Sequence, residues 1–423
     1  MKVFERSFLQ QEPLPPESIA AVTEVMLSGR LHRYDVTPDD PGHAAMLEAE
    51  FAEYQGSKYC LACASCGYAL YIALLSAGVK PGDRVLCNAF TLAPVPGAIN
   101  NAGATPLLVE TAADLTIDLT DLENKASQAD FLMLSHMRGH IADMDRIQEI
   151  CERQSLTLIE DCAHTMGARW GDARSGSHGE IACFSTQTYK HLNSGEGGLL
   201  VTDNPELIAR AILLSGSYML YDRHPAAPGE EVFSSLKLET PNYSGRMDNM
   251  RAATLRPQLQ QLDENCRRWN ERYETVKGVL SNSPQVQLPL RRQQEKYVGS
   301  SIQFFLPGFD QVQILRVVDT CADRGVQLKY FGEATPRGYT SRFDSWRYLG
   351  DQQPLPDTLE ILSTLLDMRI PLTFSLTDCQ LVAEIIADVV GETAGAEGET
   401  AGAEGETAGA EGETAGAESE KSD

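Results

Sequence analysis

The chain is 423 residues long, enough for two domains, and its 42% hydrophobic and 22% charged content is that of an ordinary folded protein. Its formal charge of -25, from 35 Lys+Arg against 60 Asp+Glu, argues against a nucleic-acid-binding surface or a polybasic membrane contact. An anionic ligand would therefore need a local cluster of Arg or Lys. The N-terminal segment carries charges where a signal peptide would be apolar, and no run long enough for a membrane span occurs. Ten cysteines, mostly inside apolar runs, fit reduced buried thiols, so the expected location is cytoplasmic.

Helical and strand patterns alternate along the first half. PPESIAAVTEVMLSG and HAAMLEAEFAEYQ carry apolar residues at three- and four-residue spacing and close near Gly, which predicts two helices. KYCLAC is a short strand, GYALYIALLSAGV a helix that stops at KPGD. DRVLCNAF, TPLLVE, DFLMLSH and LTLIED follow as strands, with DMDRIQEICERQ helical between the last two. IACFST and GGLLVT are two more strands, flanking a polar loop. Such alternation predicts βαβ units and an α/β fold with a mainly parallel sheet.

The character changes near Arg246. Residues 246–280 form a long, charged, periodic pattern that predicts a helix linking two domains. SSIQFFL, QVQILRVVDTCADRGV and CQLVAEIIADVV then suggest a smaller α+β domain. The expected division is a large domain over 1–245 with an N-terminal helical arm, a linking helix and small domain over 246–390, and a tail over 391–423. In that tail GETAGAE repeats four times from Gly391 to Glu418. With no apolar residue larger than Ala it cannot offset its ordering entropy, so disorder is expected.

Two segments carry the chemistry. LTLIEDCAHTMGA places Asp161 at a strand end, with His164 three residues on. FSTQTYKHLNSGEGG sets Ser185 and Lys190 in a polar loop between apolar strands. Pyridoxal phosphate requires an amine to form an imine, an anion to keep its pyridine nitrogen protonated, and donors for its phosphate; this arrangement offers all three.

These motifs resemble the DegT/DnrJ/EryC1/StrS family of aminotransferases, fold-type I pyridoxal-phosphate enzymes that mostly aminate keto-sugar nucleotides. ASCGYALYIALLSAGVKPGDRV from Ala64 is similar to the family's phosphate-loop helix, SHMRGHIADMD to its His-x-x-Gly-x-x-x-Asp-Met-Asp segment, and RMDNMRAATLRPQLQQLD to its long helix. The resemblance implies Lys190 as the Schiff-base lysine and proton-shift base, and Asp161 as partner of the pyridine nitrogen. It implies phosphate contacts from Ser185, from the backbone N–H groups of Cys66 and Gly67, and from Asn242 of a second subunit in a homodimer. His164 stands where the family commonly has Gln and would reach the ring hydroxyl; a structural histidine is the competing reading. Gln187 lies between Ser185 and Lys190 with no assigned role. The implied reaction is ping-pong transfer from glutamate or glutamine to a keto-sugar, with a keto-cyclitol or other small keto metabolite, or a non-catalytic cofactor-binding member, as alternatives.

Several residues depart from the pattern. Leu92 stands where the family often stacks an aromatic ring on the cofactor; Phe90 or Tyr68 would be the substitute. Arg138 would pair with a substrate anion or tie down a loop, and Arg291, Arg292, Lys296 and Lys329 are further candidates for anion contact. Cys60, Cys63 and Cys66 have the C-x2-C-x2-C spacing of an iron–sulfur or zinc site. No fourth thiolate follows closely, and the segment coincides with the phosphate loop, so no metal is expected.

Overall fold

The computed structural model describes residues 1–37, 39–335, 342–350 and 352–410, the side chains of 396–410 excepted. Seven strands form the main sheet: β1 (Tyr59–Cys63), β2 (Arg84–Asn88), β3 (Thr105–Val109), β4 (Phe131–Ser135), β5 (Thr157–Asp161), β6 (Ile181–Ser185) and β7 (Gly198–Thr202). Their order is β1-β7-β6-β5-β4-β2-β3, and every pairing is parallel except the two made by β7. This is the mainly parallel α/β architecture that the alternating pattern predicts. β4, β6 and β7 are buried along their whole length, as strands covered on both faces must be.

Side chains alternate across the sheet. Cys60 and Ala62 join the hydrophobic core on one face; Leu61 and Cys63 join the core on the other, with the Cys66–Ser76 helix. That alternation removes the metal reading of the C-x2-C-x2-C run, because Cys60 and Cys63 pack on opposite faces. Among the described residues no helix is long and apolar enough to cross a membrane.

A second, antiparallel sheet contains β8 (Ser301–Phe305), β9 (Lys329–Tyr330) and β10 (Leu365–Arg369), in the order β8-β10-β9. It has its own core, which includes Phe304, Ile314, Leu366 and Val382. Residues near the N-terminus cross to this core rather than staying with the large sheet. Phe4 and Phe8 pack edge-on against Phe374, with centroids 4.8 and 4.9 Å away.

The helix expected over 246–280 is two helices, Asn249–Gln260 and Leu262–Leu280, meeting at Gln261. The first packs on Pro16–Ser28 and His43–Gln55 and the second on the last helix; the second helix itself passes from one core to the other, with Leu262, Cys266 and Trp269 in the large-sheet core and Tyr273, Val276 and Leu280 in the small one. The last helix, Leu376–Ala410, continues past Gly391, where disorder was expected to begin. Arg324 reaches Glu392 at 2.5 Å and Thr393 is buried, so the first repeat packs on the body. Ala and Glu favour helix strongly enough to carry it across the glycines. Residues 411–423 lie outside the described residues.

A buried carboxylate fixes β1 just before the Cys66–Ser76 helix. Glu48 accepts from Arg33 Nη1 at 2.6 Å and Nη2 at 2.8 Å, and from the Ala62 N–H at 2.8 Å. Burial alone would raise its pKa, but Arg33 and His224 overcome this and hold it at about 2. Because the folded value lies below the unfolded one, this stabilisation is complete above about pH 4.5 and is lost as pH falls towards 2. Glu48→Gln leaves the buried Arg33 charge uncompensated and is expected to cost about 3–5 kcal/mol. The check is a urea titration at neutral pH, where equal midpoints for variant and parent would contradict it.

Candidate active site

Ligands of open α/β sheets bind beyond the carboxyl ends of the strands. Here Ser135, the last residue of β4, lies beside Asp161, the last of β5; Asp161 lies beside Cys183 of β6, and Ser185 opposite Gly198 of β7. Gly198 permits a close approach, since a Cβ there would sit 2.6 Å from Cys66 N and from Ser65 C and O. Any side chain would push the start of the Cys66–Ser76 helix off the sheet. Ser65 caps that helix by accepting the Tyr68 N–H at 3.1 Å. The N–H groups of Cys66 and Gly67, in its first turn, have no intrahelical acceptor and suit an anion.

β5 ends in two carboxylates that face opposite sides of the sheet. Glu160 accepts main-chain N–H groups from Gly176 at 3.1 Å, His178 at 2.8 Å and Gly179 at 2.8 Å, so it clamps the loop that leads into β6. Asp161 accepts the Ser135 hydroxyl at 2.9 Å and the Ala163 N–H at 3.1 Å. Ser135 Oγ in turn accepts the Thr91 hydroxyl at 2.8 Å, while Asn88 of β2 bonds both Ser135 main-chain groups, at 2.9 and 3.1 Å. Burial raises the proton affinity of Asp161, opposed by these donors and by Lys190.

Lys190 Nζ lies 2.6 Å from His164 Nε2, and His164 Nδ1 accepts the Arg138 N–H at 3.2 Å. Burial and the Arg138 guanidinium push the Lys190 ammonium down to about 8, against the pull of Asp161. Burial, then Lys190 and Arg138, holds His164 well below the usual imidazole range. Lys190, His164 and Gln187 open onto a cavity of about 770 Å³. Leu92, Pro94 and Trp346 give it apolar walls, and Arg138, Lys329 and Arg369 bring cationic groups to it. Arg138 Nη2 pairs with Asp367 Oδ2 at 2.9 Å, and the Arg369 guanidinium lies 3.7 Å above the Tyr189 ring.

The sequence candidates divide accordingly. Lys190, His164, Gln187, Leu92, Arg138 and Lys329 line the cavity, whereas Asp161, Ser185 and Cys66 are buried at the strand ends. Asn242 is exposed and does not line its own chain's cavity; it accepts the Ser244 N–H at 2.9 Å. Phe90 and Tyr68 are turned away: Phe90 packs on Phe331 at 5.0 Å and the Tyr68 hydroxyl donates to Leu214 O at 2.9 Å. Arg291, Arg292 and Lys296 are drawn into ion pairs with Glu295, with Asp114 and Asp143, and with Asp172, away from the cavity. The sequence reading missed Ser135 and Asn88, whose signal is a polar residue closing an apolar strand, and Thr91 in the loop after β2. It also missed Asp367 and Arg369, which stand on a strand it did not foresee.

An amine, a buried carboxylate and a helix start, gathered at one set of strand ends, fit pyridoxal phosphate. The comparisons with known proteins agree. Residues 15–348 match the DegT/DnrJ/EryC1/StrS aminotransferase family. The chain is 32% identical to the dTDP-3-amino-3,4,6-trideoxy-alpha-D-glucose transaminase of Streptomyces venezuelae over 348 residues, 79% of this chain and 86% of that one. It is 34% identical to the GDP-perosamine synthase of Caulobacter vibrioides over 221 residues, 52% of this chain and 57% of that one. Several curated relatives are matched over less than two thirds of their own length. The solved structure of Streptomyces venezuelae DesV in complex with a ketimine intermediate superposes with a TM-score of 0.73 at 27% identity, covering 88% of this chain and 94% of that one. With most of its length matched in this way, the chain belongs to the DegT/DnrJ/EryC1/StrS aminotransferase family.

Proposed function

We propose that this aminotransferase moves an amino group from glutamate or glutamine to a nucleotide-linked keto-sugar, with Lys190 as the cofactor-linking lysine and proton carrier. The observation that carries this reading is the meeting of a lysine amine of lowered proton affinity and the buried Asp161 carboxylate at the same strand ends. Bound pyridoxal phosphate supplies an electron sink for the pair left behind when a proton leaves the amino-bearing carbon. Lys190 takes that proton and returns it at the neighbouring position; an amine held at about 8 accepts and releases protons near neutral pH. Asp161 keeps the ring nitrogen protonated, because a buried carboxylate gains from a cationic partner. The Ser185 hydroxyl and the N–H groups of Cys66 and Gly67 hold the phosphate, and His164 reaches the ring hydroxyl.

The acceptor assignment rests on the relatives and on local charge. In a chain of net charge -25, Arg138, Lys329 and Arg369 line one cavity, the local cationic group an anionic substrate needs. Leu92 and Trp346 offer apolar surface to a sugar face. Asn242 completes the phosphate site from a second copy of the chain; the exposed apolar residues Tyr218, Met219 and Tyr243 near it support a homodimer. A cytoplasmic location agrees with the ten free, buried cysteines.

Lys190→Ala is expected to lower turnover by about 10²–10⁴-fold, the usual worth of a positioned proton carrier. It should also remove the cofactor's lysine-linked absorbance, and a variant that kept that band would contradict the assignment. Asp161→Asn should lower turnover by roughly 10²-fold or more while the protein still folds and binds the cofactor. Nitrogen-labelled glutamate and glutamine, offered with a panel of nucleotide-linked keto-sugars and keto-cyclitols, test the substrate reading. Label should pass to a nucleotide-linked acceptor, and transfer to cyclitols alone would replace the sugar assignment. Mixing Lys190→Ala with Asn242→Ala subunits should restore activity through one intact site per mixed dimer; a mixture that stays inactive removes Asn242 from the site.

A further inference from the structure

His164 stands in a contact that its hydrogen-bond partners define. Its Nδ1 accepts the main-chain N–H of Arg138, so that nitrogen carries no proton. A neutral imidazole then has its proton on Nε2, which lies 2.6 Å from Lys190 Nζ. The short contact is therefore Nε2–H donating to Nζ, and it requires a lone pair on the lysine nitrogen. The other assignments fail. An ammonium donating to Nε2 would leave both ring nitrogens without a proton, and a cationic ring would turn an Nδ1–H against the Arg138 N–H.

We infer that His164, held in its Nε2–H form by the Arg138 main chain, is a positioning residue that stabilises the free-amine form of Lys190. The inference rests on the reading of Lys190 as the cofactor-linking lysine and adds how that amine is made ready. A free amine attacks an aldehyde carbon with its lone pair, forms a C=N bond and releases one water, whereas an ammonium has no pair to give.

The backbone at Arg138 is built for this role. Its φ is 54° and ψ is 22°, the left-handed region that a residue with a Cβ rarely adopts. The side chain is held at its far end by Asp367, whose Oδ1 accepts from Gln303 Nε2 at 2.7 Å. Gln303 Oε1 accepts from His140 Nε2 at 2.8 Å. Strands β8 and β10 of the small sheet thus fix the loop that presents the Arg138 N–H to His164. The charged and titratable groups around Lys190 are Arg138 after β4, Asp161 on β5, Cys66 at the helix start and Arg369 on β10, with His191 acting on His164. The two guanidiniums favour the free amine, in the same direction as His164, and Asp161 opposes them.

The test has two readouts on the full chain freed of its cofactor. Nitrogen NMR of the histidine rings, with the His164 signal assigned from its loss in His164→Gln and its shift in Lys190→Ala, should show Nε2 protonated and Nδ1 bare once the pH is above the Lys190 midpoint. A proton on Nδ1, or a cationic ring, would overturn the inference. The second readout is the rate at which Lys190 condenses with added pyridoxal phosphate as pH is varied, followed by absorbance. The parent midpoint is expected near 8. In His164→Gln, whose amide oxygen can accept from an ammonium, the midpoint should rise by about one pH unit, a roughly tenfold slower condensation at neutral pH. A midpoint that stays in place overturns the role of His164 while leaving the aminotransferase reading intact; a parent protein that never condenses defeats that reading instead.

Discussion

Two successive carboxylates at the end of β5 cannot face the same side of a sheet, and the site is organised around that constraint. Glu160 turns to one face and takes the main-chain N–H groups of Gly176, His178 and Gly179. Those bonds fix the loop into β6, and so the position from which Ser185 and Lys190 follow. Asp161 turns to the other face, towards the core that contains the Cys66–Ser76 helix, and is gripped by Ser135 and Ala163. One acid builds the frame and its neighbour is the one proposed for the chemistry, and a shift of register by one residue would exchange them.

The Lys190 amine owes its lowered proton affinity first to burial and then to nearby cations, against the pull of Asp161. Arg138 and Arg369 both lie near Lys190 and lower its proton affinity, while Asp161 works against them. These same guanidiniums line the cavity, so the groups that lower the lysine's proton affinity are also the groups that the proposed anionic substrate would meet. Neither arginine is loosely held: Arg138 is tied to Asp367, and Arg369 stacks on Tyr189. The small sheet therefore contributes to the site through β10, although the cofactor-binding motifs all stand on the large one.

Much of this was legible in the residues. Strand and helix periods placed the seven strands of the main sheet, and the order of motifs located Asp161, His164, Ser185 and Lys190 because each stands at a strand end or in the loop beside one. The break at Gln261 was not legible, since the charged periodic pattern runs through it without interruption. β10 was hidden because LLDMR is short and carries Asp367 and Arg369 within an apolar run. A stacking partner in place of Leu92 could not be read from the residues for a related reason: whether Phe90 or Tyr68 faces the cavity depends on packing against Phe331 and Leu214, far along the chain.

What the sequence determined by itself was the chemistry: an amine, a carboxylate and a helix start at spacings that only parallel strands bring together, because local periodicity encodes which residues end each strand. What the tertiary structure alone decided was the state of those groups. The tautomer of His164, the free amine of Lys190 and the division of labour between Glu160 and Asp161 arise from partners 16 to 26 residues away, and from Asp367 still further along. Proton affinity is set by burial and by neighbouring charge, and both are properties of the folded assembly of strands rather than of any segment within it.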